Sequence, residues 1–434
     1  MDEAVSMLAD RIEPGDHVWW QQGPSEAITL IDGLLRLCEE RESEEPVHAF
    51  SGLSLNPRFG EPLPAGIDLT SYGAMGTLRS AAGAGRLGIV PCHYSAVPRL
   101  FAHRRLGADV ALLQVSAPDD TGQVSFGVSA DYGADLLEHS RVLLAEVNHA
   151  VPFNPHATTL SLASLDAYIE THRPLPENSV RTPDAVDLAI AGSIAELIPN
   201  GSTVQAGVGS LPNAIYGALQ GHSELGIHSG VIADPILDLI DSGVITNSRK
   251  EIDRGVSVGA MALGHRELYE SLPHRSSIRF RETTYTHNPA VLSRLGSLVA
   301  VNAALQVDLN GQVNAEMVDG RYLGGIGGQA DFARAASATG TLSIIALRST
   351  SRSGSTIVPA LSGGFVATGR PDVDVVVTEN GVADLRGLTH SQRAAALIGI
   401  ADPEQCESLH SALGEQHSPS LPRTPRLAMS SHSS

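Results

Sequence analysis

Short apolar runs alternate along this chain with longer stretches in which apolar residues recur at helical spacing. SEAITLIDGLLRLCEERE (25–42) carries the helical period, while RLGIVP, ADVALLQV and RVLLAEV read as buried strands. In the second half TVQAG, LGIHS, VSVGAMAL, LVAVNAALQV, TLSIIAL and VDVVVTEN read the same way. Strands that alternate with amphipathic segments predict an α/β fold of mainly parallel sheets joined by helical crossovers. At 434 residues the chain exceeds one comfortable core. The proline-bearing stretch IETHRPLPENSVRTPD (169–184) separates the halves and is a linker candidate. The expected division is therefore a domain over 1–170, a linker over 171–184 and a domain over 185–414. A Ser/Pro/His-rich tail over 415–434 is expected to be disordered. ALLQVSAPDDTGQVSFG (111–127) and ALQVDLNGQVNAE (304–316) echo each other, which suggests two related domains with a cleft between them, near strand C-termini.

Composition narrows the function. A net charge of −19 and 4% aromatic residues argue against nucleic-acid binding. No apolar run approaches the ~18 residues that span a bilayer, so no membrane association is expected. The acidic start MDEAVSMLADRIEPGD does not look like a signal peptide, and the expected location is cytoplasmic. Cys38, Cys92 and Cys406 lack CxxC spacing, and the 17 histidines form no HExxH set, so neither a disulfide framework nor a metal site is expected.

Two glycine-rich loops carry the candidate chemistry. In VQAGVGSLPNAIYGAL (204–219) a strand leads through Gly207, Val208 and Gly209 into a helix marked by Ser210 and Pro212. YLGGIGGQADFARAA (322–336) places Gly325, Gly327, Gly328 and Gln329 before a second helix. Backbone N–H groups exposed at helix N-termini suit an anion or a developing oxyanion, and Gln205 stands beside the first loop. Other matches are weaker. Gly83–Gly88 fits GxGxxG but precedes a strand. Ser257 fits GxSxG but lies inside a strand. Cys92 and His93 would point to opposite faces of a strand, with the cysteine buried. Asp234, before Pro235, reads as a helix cap. In LGIHSGVIAD (225–234) His228 and Ser229 are polar groups at the apex of a strand–turn–helix unit, and the next residue, Gly230, has no side chain.

Taken together, VPCHYSAVPRLF (90–101), DVALLQVSAPDDTGQVSFGVSADY (109–132), VQAGVGSLPNAI (204–215), LGIHSG (225–230), QVDLNGQVNAE (306–316), GGIGGQADFARA (324–335) and VVVTENGVADLRG (375–387) resemble the acetyl-CoA hydrolase/transferase family. The likeness is strongest to its 4-hydroxybutyrate and butyryl-CoA:acetate CoA-transferase members. It implies two related α/β domains, an active site at their interface, an acyl-CoA thioester as substrate with no tightly bound cofactor, and a homodimer or homotetramer. It also implies a glutamate nucleophile where this chain has Gly230. Without that carboxylate the expected chemistry is thioester hydrolysis, C–C cleavage or decarboxylation, or acyl transfer to a nucleophile other than a carboxylate. Conventional transfer through another carboxylate, or acyl-CoA binding without catalysis, are the alternatives. His228, Ser229, Asn314 and Glu316 are the candidate catalytic residues. Gln205, Gly207, Val208, Gly209, Gly325, Gly327, Gly328 and Gln329 are the candidates for holding the thioester.

Overall fold

The computed structural model describes residues 1–41, 45–178 and 180–416; the tail expected to be disordered lies almost wholly outside them. Two parallel sheets organise the chain. The first has seven strands in the order Leu87–Ile89, Ile67–Ser71, Val47–Phe50, His17–Trp20, Val110–Val115, Val142–Asn148 and Ala167–Thr171, all parallel. The second has six, in the order Gly226–Ile227, Thr203–Ala206, Leu298–Ala303, Leu342–Ala346, Val375–Thr378 and Gly381–Asp384. Its last strand is antiparallel, closing a hairpin on the sheet's edge. The inner strands read as continuous apolar runs because helices cover both faces, as parallel sheets require. Every residue of Val110–Val115 is buried, and Trp19, Trp20, Phe126 and Tyr132 fill the space around the first sheet.

The helix periods are realised as Ile28–Glu40, Ala185–Leu197, Ser210–Ala218 and Gln329–Thr339. Asp184 caps the second of these, accepting from Val186 N and Asp187 N, and Gly340 ends the last in the left-handed region at φ 71°. Several sequence readings need correction. VSVGAMAL forms two short strands, Ser257–Gly259 and Met261–Ala262, which pair with different partners. RLGIVP yields a half-exposed edge strand rather than a buried one. Cys92 and His93 stand beyond that strand, before the turn Tyr94–Ala96, and Cys92 is only half-buried. Asp234 does not cap its helix; its carboxylate accepts from His265 N and pairs with His265 Nδ1, both at 2.9 Å. Residues 169–171 belong to the last strand of the first sheet.

The sequence echo is a shared turn. Asp119 Oδ1 accepts from Thr121 N and Gln123 N, and Asp308 Oδ1 from Asn310 N and Gln312 N, all at 2.9–3.0 Å. Gly122 and Gly311 follow at φ 76° and 84°, where a Cβ is strained. The two halves then meet along a seam of backbone contacts. Gly73 and Gly325 bridge antiparallel, Ala74 N donates to Gly324 O at 2.9 Å, and Tyr94 N to Gly327 O at 3.1 Å. A Cβ on Gly73 would lie 2.8 Å from Gly325 Cα, so the approach needs glycine on both sides. Gly73→Ala and Gly325→Ala are each expected to lower stability by about 1–3 kcal/mol, as overpacking does. Gly83→Ala, whose Cβ meets nothing within 4 Å, is the control in denaturant titration. Equal midpoints for Gly73→Ala and Gly83→Ala would show that the seam is loose.

Candidate active site

In an open parallel sheet, ligands settle beyond the strand C-termini where the strand order reverses. In the first sheet that point lies between His17–Trp20 and Val110–Val115, and Gln22 follows it. In the second it lies between Thr203–Ala206 and Leu298–Ala303, where Gln205 and Asn302 stand on neighbouring strands. The two points face each other across the seam and enclose a cavity of about 300 Å³. Gln22, Tyr72, Met75, Arg79 and Tyr94 line it from the first half. Gln205, Gly207, Val208, Gly230, Met261, His287, Asn302, Gly327, Gly328, Gln329 and Phe332 line it from the second.

The structure thus brings together six of the residues expected to hold a ligand, namely Gln205, Gly207, Val208, Gly327, Gly328 and Gln329, with Gly230. Gly209 and Gly325 lie just off the cavity: the first is the N-cap of the helix Ser210–Ala218, the second packs on Gly73. The backbone N–H groups of Gly207, Val208, Gly327 and Gly328 have no hydrogen-bond partner among the described residues. They are free to receive a ligand oxygen.

The candidate catalytic side chains lie behind the cavity wall. His228 is fully buried, with Nε2 3.0 Å from Thr286 O. Burial, and then the nearby charge of Lys250, push its pKa down to about 3 and keep it neutral. Ser229 Oγ donates to Ala206 O at 3.1 Å and accepts from Val231 N at 3.3 Å, tying the Gly230 strand to the first glycine loop. Asn314 donates to Gln306 Oε1 and Met317 O and accepts from Glu316 N and Met317 N, which uses its whole hydrogen-bonding capacity in a turn. Glu316 is buried away from the cavity, and burial raises its carboxyl pKa. Its backbone oxygen accepts from Leu323 N and Gly324 N, holding the second glycine loop.

The polar side chain that does reach Gly230 is His287, which the sequence pattern did not single out. It sits in a run of polar residues, RETTYTHNP (281–289), with only the Asn-Pro helix start after it as a local signal. A Cβ on Gly230 would lie 3.1 Å from His287 Nε2, and one on Gly328 would lie 2.5 Å from it. The imidazole therefore occupies a slot between two glycines. Tyr94 and Phe332 meet the ring edge-on, with centroids 4.7 and 4.9 Å away. Thr286 Oγ1 lies 2.8 Å from Nδ1 and donates its own proton to Glu282 O. Its oxygen then accepts from Nδ1–H, which leaves the Nε2 lone pair facing Gly230. Burial, with a smaller effect from His228, pushes the His287 pKa down to about 3. Beside it Tyr72 Oη donates to Gln22 Oε1 and Gln22 Nε2 donates to Tyr94 Oη, both at 2.7 Å, so the opposite wall is held rigid.

With this geometry in hand, comparisons with known proteins place the chain. Residues 3–174 match the model of the acetyl-CoA hydrolase/transferase N-terminal domain, and residues 264–413 that of its C-terminal domain. The chain belongs to the acetyl-CoA hydrolase/transferase family. It is 39% identical over 412 residues to a 4-hydroxybutyrate coenzyme A transferase of Clostridium kluyveri, covering 94% of this chain and 95% of that protein. It is 30% identical over 339 residues to an acetyl-CoA hydrolase of Eremothecium gossypii, covering 67% and 62%. Among solved structures, RipA from Yersinia pestis superimposes with a TM-score of 0.86 at 32% identity, covering 96% of each chain. A 4-hydroxybutyrate CoA-transferase from Porphyromonas gingivalis gives 0.76 at 31%, covering 95% and 97%. This protein is accordingly an enzyme of the acetyl-CoA hydrolase/transferase family with its two-domain CoA-transferase fold, and CoA thioesters are the substrates of that family. No described helix is long and apolar enough to cross a membrane.

The buried imidazoles couple the site to pH. Each stays neutral in the fold down to about pH 3, whereas the unfolded chain protonates near pH 6.5. Their stabilising contribution is therefore full above pH 6.5 and falls as pH drops towards 3, by about 1.4 kcal/mol per pH unit for each. His287→Gln is expected to flatten the acid limb of the stability curve by about that slope between roughly pH 6 and 4. Parallel curves for the two proteins would contradict a neutral buried His287.

Proposed function

We propose that this enzyme transfers the acyl group of a CoA thioester to water, with His287 as the general base and Gly230, lacking a side chain, letting its Nε2 reach the cavity. The observation that carries the reading is the Nε2 lone pair opening onto the cavity beside a residue that has no side chain. A water on the cavity side of Nε2, beside Gly230, gives its proton to Nε2 as its oxygen attacks the thioester carbon. The carbonyl oxygen gains charge and is stabilised by the free N–H groups of the two glycine loops. As the C–S bond breaks, the imidazolium returns the proton to the CoA sulfur, leaving a carboxylic acid and free thiol. A base so strongly desolvated is weak alone, but its cation forms beside the oxyanion, which offsets part of that cost. The similarity to an acetyl-CoA hydrolase supports this direction. The buried Glu316, held off the cavity with a raised pKa, speaks against it as a substitute nucleophile.

The test is thiol release from short acyl-CoAs with and without acetate. Release is expected without acetate, and His287→Gln is expected to lower kcat about 100-fold with little change in KM. Gly230→Glu puts a Cβ against Nε2 and is expected to abolish the water reaction. Thiol release or new acyl-CoA that depends on acetate in the unaltered enzyme would overturn the proposal.

A further inference from the structure

The ring of His287 is tied down by contacts across the seam that the chemistry at Gly230 does not use. His287 is the C-cap of the four-residue helix Thr283–Thr286, and its backbone N–H donates to Thr283 O at 3.1 Å, so the ring goes where that helix goes. A helix of one turn is too short to hold its own shape in water and must be fixed from outside. Asp135, on the helix Asp131–Leu136 of the first half, fixes it. Its carboxylate accepts from Thr284 Oγ1 at 2.5 Å and from Thr284 N at 3.3 Å. A backbone bridge between Asp131 and Glu282 joins the same two elements.

The reverse contact lies alongside. Asp331, in the first turn of the helix Gln329–Thr339 of the second half, accepts from Ser95 Oγ at 2.6 Å and from Ser95 N at 3.1 Å. Ser95 and Asp331 stand next in sequence to Tyr94 and Phe332, the two rings that meet the imidazole edge-on. Each half thus offers one carboxylate that takes both the backbone and the hydroxyl donor of one residue of the other half. Ser95, Asp135 and Thr284 line one groove of about 530 Å³, so the two clamps are neighbours on the same stretch of the seam. Two-point contacts to a carboxylate fix direction as well as distance.

We propose that Asp135 and Asp331 are positioning residues for His287: by holding Thr284 and Ser95 across the seam, they set the depth of the imidazole between Gly230 and Gly328 and the direction of its Nε2. Neither carboxylate lines the cavity, so their effect on the reaction runs through the ring. The effect on rate rests on the reading of His287 as the base, whereas the placement of the ring does not depend on which nucleophile reacts. A shift of about 1 Å at a reacting group costs on the order of 100-fold in rate, so a small loosening of either clamp is enough to be measured.

The test reads the ring first, without substrate. In the full chain carrying carbon-13-labelled histidine, the Cε1–Hε1 NMR signal of His287, assigned by its loss in His287→Gln, reports the ring's position against Tyr94 and Phe332. Asp135→Ala, Thr284→Val, Asp331→Ala and Ser95→Ala are each expected to move that signal. Each is also expected to lower kcat for thiol release about 10-fold with KM within about 2-fold. Thr284→Ser keeps the hydroxyl and is expected to restore both signal and rate. Asp135→Ala combined with Thr284→Val is expected to do no more than either alone, because both remove one contact. Thr284 is exposed and Ser95 half-buried, so their variants test the clamps where a carboxylate variant fails to fold. A lowered thermal midpoint with the ring signal unmoved would make the clamps fasteners of the seam alone and overturn the proposal. A moved signal with unchanged kcat would uphold the placement and count instead against the imidazole as the base.

Discussion

The site depends on close backbone approach, which side chains at a few positions would forbid. Gly73 and Gly325 let the two halves touch, and a Cβ at either would come within 2.8 Å of the other chain segment. Gly230 and Gly328 then let the His287 ring lie between a strand end and a helix start, with its Nε2 facing the cavity. Packing at this density leaves little tolerance for a methyl group. The glycines are thus the constraint from which the rest follows: the seam positions the loops, the loops free their N–H groups, and the slot aims the imidazole.

Burial sets the electrostatics of the same region. The chain carries many acidic residues, yet apart from Arg79 the cavity is lined by uncharged side chains. The histidines are pushed down to about 3, and Asp131 and Glu26, buried near the first sheet's switch point, are pushed up to about 8. Desolvation is the leading cause in each case. A neutral, rigid wall of Tyr72, Gln22 and Tyr94 faces the reactive side. In the proposed reaction, charge developing on a thioester oxygen meets backbone donors and one imidazole rather than competing carboxylates, and in a low-dielectric setting those few donors count for more.

Much of the fold was legible from period and composition. The apolar runs at 110–115, 142–148, 298–303, 342–346 and 375–378 are parallel strands, and the repeated Asp-x-x-Gly-Gln-Val turn is a real structural echo. The glycine loops were legible because glycine before a helix start has few purposes, and both loops reach the cavity. His287, Tyr72, Tyr94, Asn302 and Arg79 were not, because their roles come from tertiary approach. No local pattern distinguishes His287 from the other histidines; only the folded chain places its ring between Gly230 and Gly328. Conversely, His228, Asn314 and Glu316 looked chemical in their motifs, but the fold sets them behind the wall, where their hydrogen bonds and buried surface hold the reactive loops in place.

The central claim is that water, not an enzyme carboxylate, attacks the thioester beside Gly230. The most direct measurement is the intact mass of the enzyme, quenched in acid within one turnover after mixing with excess acyl-CoA. The expected result is an unmodified chain alongside a stoichiometric release of CoA thiol. A chain heavier by one acyl group or one CoA, cleaved by hydroxylamine, would show a covalent intermediate on a carboxylate and contradict it.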